Sequence, residues 1–212
     1  MSATNFLPKL KAFIKARLQE QSMIPAHRQE KLLAIAHFLH LHLSPQSFLA
    51  LNYVCTHNSR RSQIAQIWSW AAAHYFGLEN LRHFSGGTEV TAFNENAVKA
   101  MERAGFQTAN DAKNNPKYRI VCDPQLEPLL CFSKYFDDPY NPQKDFIALM
   151  TCSDAETNCP FIPGTKQRFS LNYEDPKVSD GTSEEEYIYD QCVQQIAREI
   201  LFLMQELSSI SK

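Results

Sequence analysis

Leu49-Ala50-Leu51-Asn52-Tyr53-Val54-Cys55-Thr56-His57-Asn58-Ser59-Arg60-Arg61-Ser62 is the stretch on which the fold turns. Residues 49–54 form a short apolar run suited to a buried strand. Just beyond, Ile64, Ile67, Trp68, Ala71, Ala72 and Tyr75 recur at helical spacing. A strand ending at Val54 and a helix beginning near Arg61 leave the intervening N–H groups, from Thr56 and His57 through Ser59, converging on one point. Backbone donors gathered at a helix N-terminus make an anion site. The same N–H groups and the helix dipole favour the thiolate of Cys55, which makes it a nucleophile. Arg61 presents a planar fork able to take two oxygens of the anion. Ser62 is placed to donate a hydrogen bond to the sulfur, and Asn58 to brace the loop. The competing reading is a buried, inert Cys55 beside an incidental Arg61. The strand before, the helix after and Ser62 next to Arg61 favour the functional one. Arg60 is assigned to solvent or to general attraction of the anion, without a catalytic role.

Outward from this loop the chain alternates strand and helix. A strand is expected at 82–84, then a turn at Ser85-Gly86-Gly87 and a helix from about Asn94 to Gly105, where glycine fits the end of a helix. Strands at 146–151 and 168–173 precede a last helix, which opens with the capping-box pattern Ser183-Glu184-Glu185-Glu186 and runs to about Leu207. Strands separated by helices predict a parallel sheet with helices on both faces. Residues 1–48 read as a helical extension, its second helix running from Pro25 to about Leu43. The catalytic domain is taken as 49–212. The stretch 107–145, rich in Asn, Pro and Asp, breaks the rhythm and reads as an inserted flap with strand-like runs at 118–122 and 129–132.

The 212 residues carry 21 Lys plus Arg against 23 Asp plus Glu, and the net charge of -2 gives no reason to expect nucleic acid or an anionic membrane as partner. No apolar run approaches the length of a membrane span. The N-terminal residues mix Lys and Arg into the apolar positions, which is not a signal-peptide pattern, so a cytoplasmic location is expected. In that compartment the six cysteines are buried thiols, metal ligands or redox participants rather than a disulfide framework. No CxxC pair exists for zinc, and of His37, His40 and His42 only His37 and His40 share a helix face, without a third ligand of fixed geometry, so neither metal nor cofactor is expected. Cys152 lies where a strand ends, on the same sheet edge as Cys55, and Cys159 lies seven residues later beyond a polar segment. Spacing alone leaves open whether these two form a redox pair. Cys192 falls at helical spacing with Tyr189, Ile196 and Leu203, as a core thiol would. Cys122 and Cys131 are read as packing residues.

The loop CTHNSRRSQ resembles the low-molecular-weight protein tyrosine phosphatases, and more closely the thioredoxin-coupled arsenate reductases that share their fold. Cys-Ser-Asp-Ala followed by Cys-Pro at 152–160 is similar to the second cysteine pair of the reductases, which the phosphatases lack. Glu174-Asp175-Pro176 matches the loop carrying the general-acid aspartate in both groups. The resemblance spans about 49–208. It implies a three-layer α/β sandwich with a four-stranded parallel sheet, to which the helical hairpin and the insertion are additions. It implies that Cys55 attacks arsenate held by Arg61 and the loop, while Asp175 protonates the departing oxygen. Cys152 then attacks Cys55 to release arsenite, and Cys159 attacks Cys152 to present a disulfide to thioredoxin. Some reductases of this group also bind potassium near the loop, where Gln66 here stands in place of a helpful carboxylate.

Asp123-Pro124 and Asp138-Pro139 compete with Asp175, but both belong to the insertion, where Asp-Pro initiates turns. Ser85 and Thr88 are equally explained as loop supports or as turn residues. Tyr135, Phe136 and Tyr140 are equally explained as a lid or as packing. Besides arsenate reduction, the residues allow hydrolysis of a phosphate monoester through a Cys55 phosphoenzyme, or a module that binds anions without turnover. The complete set Cys55, Arg61 and Asp175 counts against a pure binder.

Overall fold

The computed structural model describes residues 5–158 and 161–211. Strands β1 (Leu49–Cys55) and β2 (Leu81–Gly87) form the sheet with Phe146–Met150 and Thr165–Ser170. Between β2 and the Phe146 strand, the insertion adds β3 (Gln107–Ala109), β4 (Tyr118–Val121) and β5 (Leu129–Cys131), so the later pair are β6 and β7. The main sheet has the order β2-β1-β6-β7 with every pairing parallel, the expected four-stranded α/β sheet. Its central strands are almost wholly buried, as their near-continuous apolar runs require.

Period-two alternation divides the sheet's side chains between two cores of unequal size. Leu51 and Tyr53 of β1 and Ile147 and Leu149 of β6 enter the large one. Its helical wall is built from α3 (Arg61–Phe76), α4 (Glu95–Ala104) and the long C-terminal helix Glu185–Ile210. Val54 and Cys55 of β1, with Phe146, Ala148 and Met150 of β6, enter the small one, closed by the Ser153–Asn158 helix and by Phe136. The chain's first two helices, α1 (Pro8–Gln19) and α2 (Ala26–His42), join the large core, so the helix at Ser153 is α5 and the C-terminal one α6. Leu10 and Ile14 of α1 and Leu32, Ile35 and Leu39 of α2 are fully buried there. Each contributes roughly 1.5–3 kcal/mol of transfer free energy. Phe13 stacks on Trp68 of α3 at 5.4 Å, and Glu20 pairs with Arg198 of α6 at 3.2 Å. At the end of α4, Gly105 has φ 110°, and a Cβ there would lie 2.4 Å from the Leu10 nitrogen. Glycine thus both ends α4 and lets α1 lie against it.

Two local expectations are corrected. Ser85-Gly86-Gly87 is the end of β2 rather than a turn, in register with Tyr53-Val54-Cys55. The glycines serve close approach, since a Cβ on Gly86 would lie 2.3 Å from the Phe136 Cα. The capping box does not form at α6. The helix starts at Glu185 with Glu184 as N-cap and no side-chain cap, while Glu184 N–H donates to Thr182 Oγ1 and Glu185 accepts Gly181 N–H. In the insertion's antiparallel sheet Cys131 is registered with Tyr118, so Cys122 and Cys131 do not face one another. Both thiols are free and buried in the main core, and burial pushes Cys131 up to about 12.

Lys134, just after β5, is only 2% exposed. Its ammonium reaches the Phe132 carbonyl at 3.4 Å and lies 4.5 Å from the Phe132 ring and 5.4 Å from that of Tyr140. Burial lowers its pKa to about 8, with Cys131 and Asp138 opposing the shift. A lysine depressed in the folded state binds fewer protons there than when unfolded, so stability rises as pH climbs from about 8 toward the ordinary lysine range. The Lys134→Met protein is therefore expected to be more stable than the parent at pH 7, by about 1–3 kcal/mol, with the gap narrowing by pH 9–10. Denaturant unfolding of both proteins at the two pH values checks this, and equal stability at pH 7 would refute it.

Candidate active site

Because the strands are parallel, their C-terminal ends bring Cys55 of β1, Cys152 after β6 and the segment from Tyr173 to Asp175 after β7 to one edge. The loop from Cys55 to Arg60 joins β1 to α3 there. Its carbonyls all have partners outside it. Cys55 O accepts from Thr88 N–H at 3.3 Å, Thr56 O from Glu89 N–H at 2.8 Å, and His57 O from Ser133 Oγ at 2.9 Å. Asn58 O accepts from Gln63 Nε2 at 3.0 Å, and Ser59 O from Asn94 N–H at 2.9 Å. Among the described residues, the N–H groups of Thr56 to Arg60 meet no protein acceptor. Buried backbone donors are rarely left unpaired, so carbonyls turned out and amides turned in describe a cradle for an oxyanion.

Asn58 holds this shape. It sits at φ 46°, a left-handed conformation that asparagine tolerates, and it is fully buried. Its Oδ1 accepts Lys134 N–H at 3.0 Å, which orients the amide so that Nδ2 donates to Ser62 Oγ at 2.8 Å. With that lone pair occupied, the Ser62 hydroxyl proton is free to point at Cys55 Sγ, 3.0 Å away, and to stabilise a thiolate. The expected roles of Asn58 and Ser62 thus have a definite geometry. Gly87 completes the wall, since a Cβ there would lie 2.6 Å from the Thr56 carbonyl oxygen and 2.8 Å from Asn58 N. Both neighbours are backbone, so Gly87→Ala must shift the loop. Its turnover is expected to fall by about 10- to 100-fold with the protein still folded. Steady-state rates beside a circular dichroism spectrum test this, and full activity would show the loop to be more pliant than its bonds imply.

Arg61 is 8% exposed and its guanidinium forks, with Nη1 donating to the Tyr173 carbonyl at 2.9 Å and Nη2 to Asp175 Oδ2 at 2.6 Å. Asp175 also accepts Lys177 N–H at 3.1 Å, which caps the short 3₁₀ turn Pro176–Ser179. The candidate acid therefore stands beside the loop arginine, whereas Asp123 and Asp138 make local turn contacts to Gln125 and Tyr140. Arg60 does not face open solvent. Its Nε donates to Tyr189 Oη at 2.8 Å and it pairs with Asp180 at 3.3 Å. His57, on the loop's outer side, lies 3.2 Å from Glu89.

Cys152 is fully buried in the small core that also holds Cys55, and its Sγ lies 3.5 Å from Thr56 Oγ1. Ala155 N–H donates to the same sulfur at 3.3 Å. Cys159 lies outside the described residues. Gln66 commits its amide to Ser85 Oγ and the His83 carbonyl, so it offers no anionic ligand to a potassium ion. Among the described residues no three His, Cys, Asp or Glu side chains gather as a metal site, and no helix is long and apolar enough to cross a membrane. A cavity of about 430 Å³ opens on the outer side of the loop, lined by His57, Ser59, Arg60, Asn94, Lys113 and Lys177 among others, but not by Cys55. Phe93 is the one aromatic of its lining. Tyr140 instead packs edge-on against Phe132 and Phe84.

No protein-family model matches the chain. The arsenate reductase of Bacillus subtilis strain 168 is 30% identical over 141 residues, which cover 66% of this chain and 84% of that protein. The arsenate reductase of Halalkalibacterium halodurans is 28% identical over 135 residues, 64% of this chain and 79% of its own. Among solved structures, a low-molecular-weight protein tyrosine phosphatase from Bacillus subtilis superposes with a TM-score of 0.52 at 17% identity, over 77% of this chain and all of that one. At such identity the superposition speaks for the fold alone.

Proposed function

The chain belongs to the arsenate reductase family within the low-molecular-weight phosphatase superfamily and is an enzyme, and we propose that it reduces arsenate to arsenite by a thiol relay starting at Cys55. The Cys55 thiolate attacks arsenic held by Arg61 and the loop amides. A sulfur–arsenic bond forms and an arsenic–oxygen bond breaks, the oxygen leaving as water with a proton from Asp175. Cys152 then attacks Cys55 Sγ. A disulfide forms, the sulfur–arsenic bond breaks, and its electron pair leaves on arsenic, now arsenite. Cys159 attacks Cys152 and frees Cys55, and an external dithiol such as thioredoxin reduces the Cys152–Cys159 disulfide. A relay of this kind needs a reducing compartment, which in this reading is the cytoplasm.

The observation that carries the reading is the burial of Cys152 in one small core with Cys55, its sulfur 3.5 Å from the hydroxyl of the residue next to the nucleophile. In a phosphatase the second thiol would serve only to protect the nucleophile. The phosphatase alternative shares the first step and lets water resolve the adduct. The deciding experiment follows arsenate-dependent NADPH oxidation with thioredoxin and thioredoxin reductase, and aryl phosphate hydrolysis, on one preparation. Turnover of arsenate supports the relay. Hydrolysis without arsenate turnover makes the protein a phosphatase.

A further inference from the structure

We infer that Arg28, on the second helix of the N-terminal extension, is a positioning residue for the oxyanion site. The inference rests on the site binding an oxyanion and not on which chemistry follows. Arg28 reaches across from α2 to the segment after β7. Its Nη1 donates to the Asn172 carbonyl at 3.2 Å, and its guanidinium carbon lies 5.1 Å from the centre of the Tyr173 ring. Its Nη2 pairs with Glu199 of α6, a carboxylate only 2% exposed that also accepts from Gln195 at 3.2 Å. The carbonyl of that same Tyr173 accepts Arg61 Nη1 at 2.9 Å, and Asp175, two residues on, accepts Arg61 Nη2 at 2.6 Å. One half-buried arginine thus fixes the backbone from which the anion-binding arginine is aimed. A planar fork can hold a carboxylate, a carbonyl and a ring face at once, which an ammonium cannot. The extension therefore does more than enlarge the core, because through Arg28 it sets the position of Arg61.

The test uses protection of Cys55 from iodoacetamide by inorganic phosphate in the full chain, read as the modified Cys55 peptide by mass spectrometry. It reports anion affinity without turnover. Arg28→Met alone would strand the Glu199 carboxylate in the core, so it is combined with Glu199→Gln. Arg28→Lys is made beside it in case the double variant does not fold. Ile35→Val loosens α2 against the core while leaving Arg28 and its partners in place. Phosphate protection is expected to weaken about tenfold in the double variant and by a smaller factor in Arg28→Lys, and to stay unchanged in Ile35→Val. Wild-type affinity in the Arg28 variants that fold overturns the inference, and so does equal weakening in Ile35→Val. If phosphate and arsenate fail to protect the wild type, the oxyanion reading of the site falls together with the inference. Protection that is present but indifferent to Arg28 removes the inference alone.

Discussion

Replacing Arg61 with lysine is expected to lower turnover by about 10²–10³-fold while leaving the fold intact. The guanidinium is held at both ends, by the Tyr173 carbonyl at 2.9 Å and by Asp175 at 2.6 Å. It is therefore already planar to the site and loses little freedom when an oxyanion arrives. A lysine carries the same charge but only one point of attachment, so it can neither keep the Tyr173 bond while engaging the anion nor offer two parallel donors. The loop amides remain in Arg61→Lys, which is why the loss should stop short of abolition. Because Arg61 and Asp175 contact each other, the total loss of free energy in the Arg61→Lys/Asp175→Asn double variant should be smaller than the sum of the single losses. The measurement is kcat/KM for arsenate in the four proteins of that cycle. Arg61→Lys within tenfold of the wild type would mean that the amides alone hold the anion.

The part of this site that is local in sequence is legible in it. Residues 49–64 contain the strand, the loop, the helix start and every donor, so reading them in order is close to reading the site. Legibility fails where the partner lies far along the chain. Gly86 and Gly87 have the composition of a turn, and nothing near them announces that the segment around Phe136, fifty residues on, crosses so close that a Cβ would collide with it. Ser183 with Glu186 has the letters of a capping box, but the helix starts one residue later than that box requires, with Glu184 as its N-cap. Arg60 looked free because charged residues usually are, while its partners Tyr189 and Asp180 arrive from the C-terminal helix and the turn before it. Arg28 carried no signal at all. It is one basic residue on an amphipathic helix, and its meaning depends on Tyr173 standing beneath it.

Cys152→Ser is expected to reduce steady-state arsenate turnover by about 10³-fold or more, while any hydrolysis of aryl phosphate by the same protein stays near its original rate. Serine nearly matches cysteine in shape and can still accept the Ala155 N–H, which reaches the sulfur at 3.3 Å, so the small core should survive. What is lost is the thiolate able to attack Cys55. The other described thiols are poor substitutes. Cys192 and Cys131 are buried and pushed up to about 12, and Cys122 is raised further by burial beside Asp123. None of the three shares the small core with Cys55. The first step should still proceed, so one equivalent of arsenate per enzyme should protect Cys55 from alkylation without releasing a stoichiometric amount of arsenite. Rapid-quench analysis of arsenite, beside coupled NADPH oxidation, distinguishes the steps. If Cys152→Ser turns arsenate over at the wild-type rate, the adduct is resolved by an external thiol acting directly on Cys55. The cysteine buried beside Thr56 would then have a packing role, and the relay would be wrong from its second step onward.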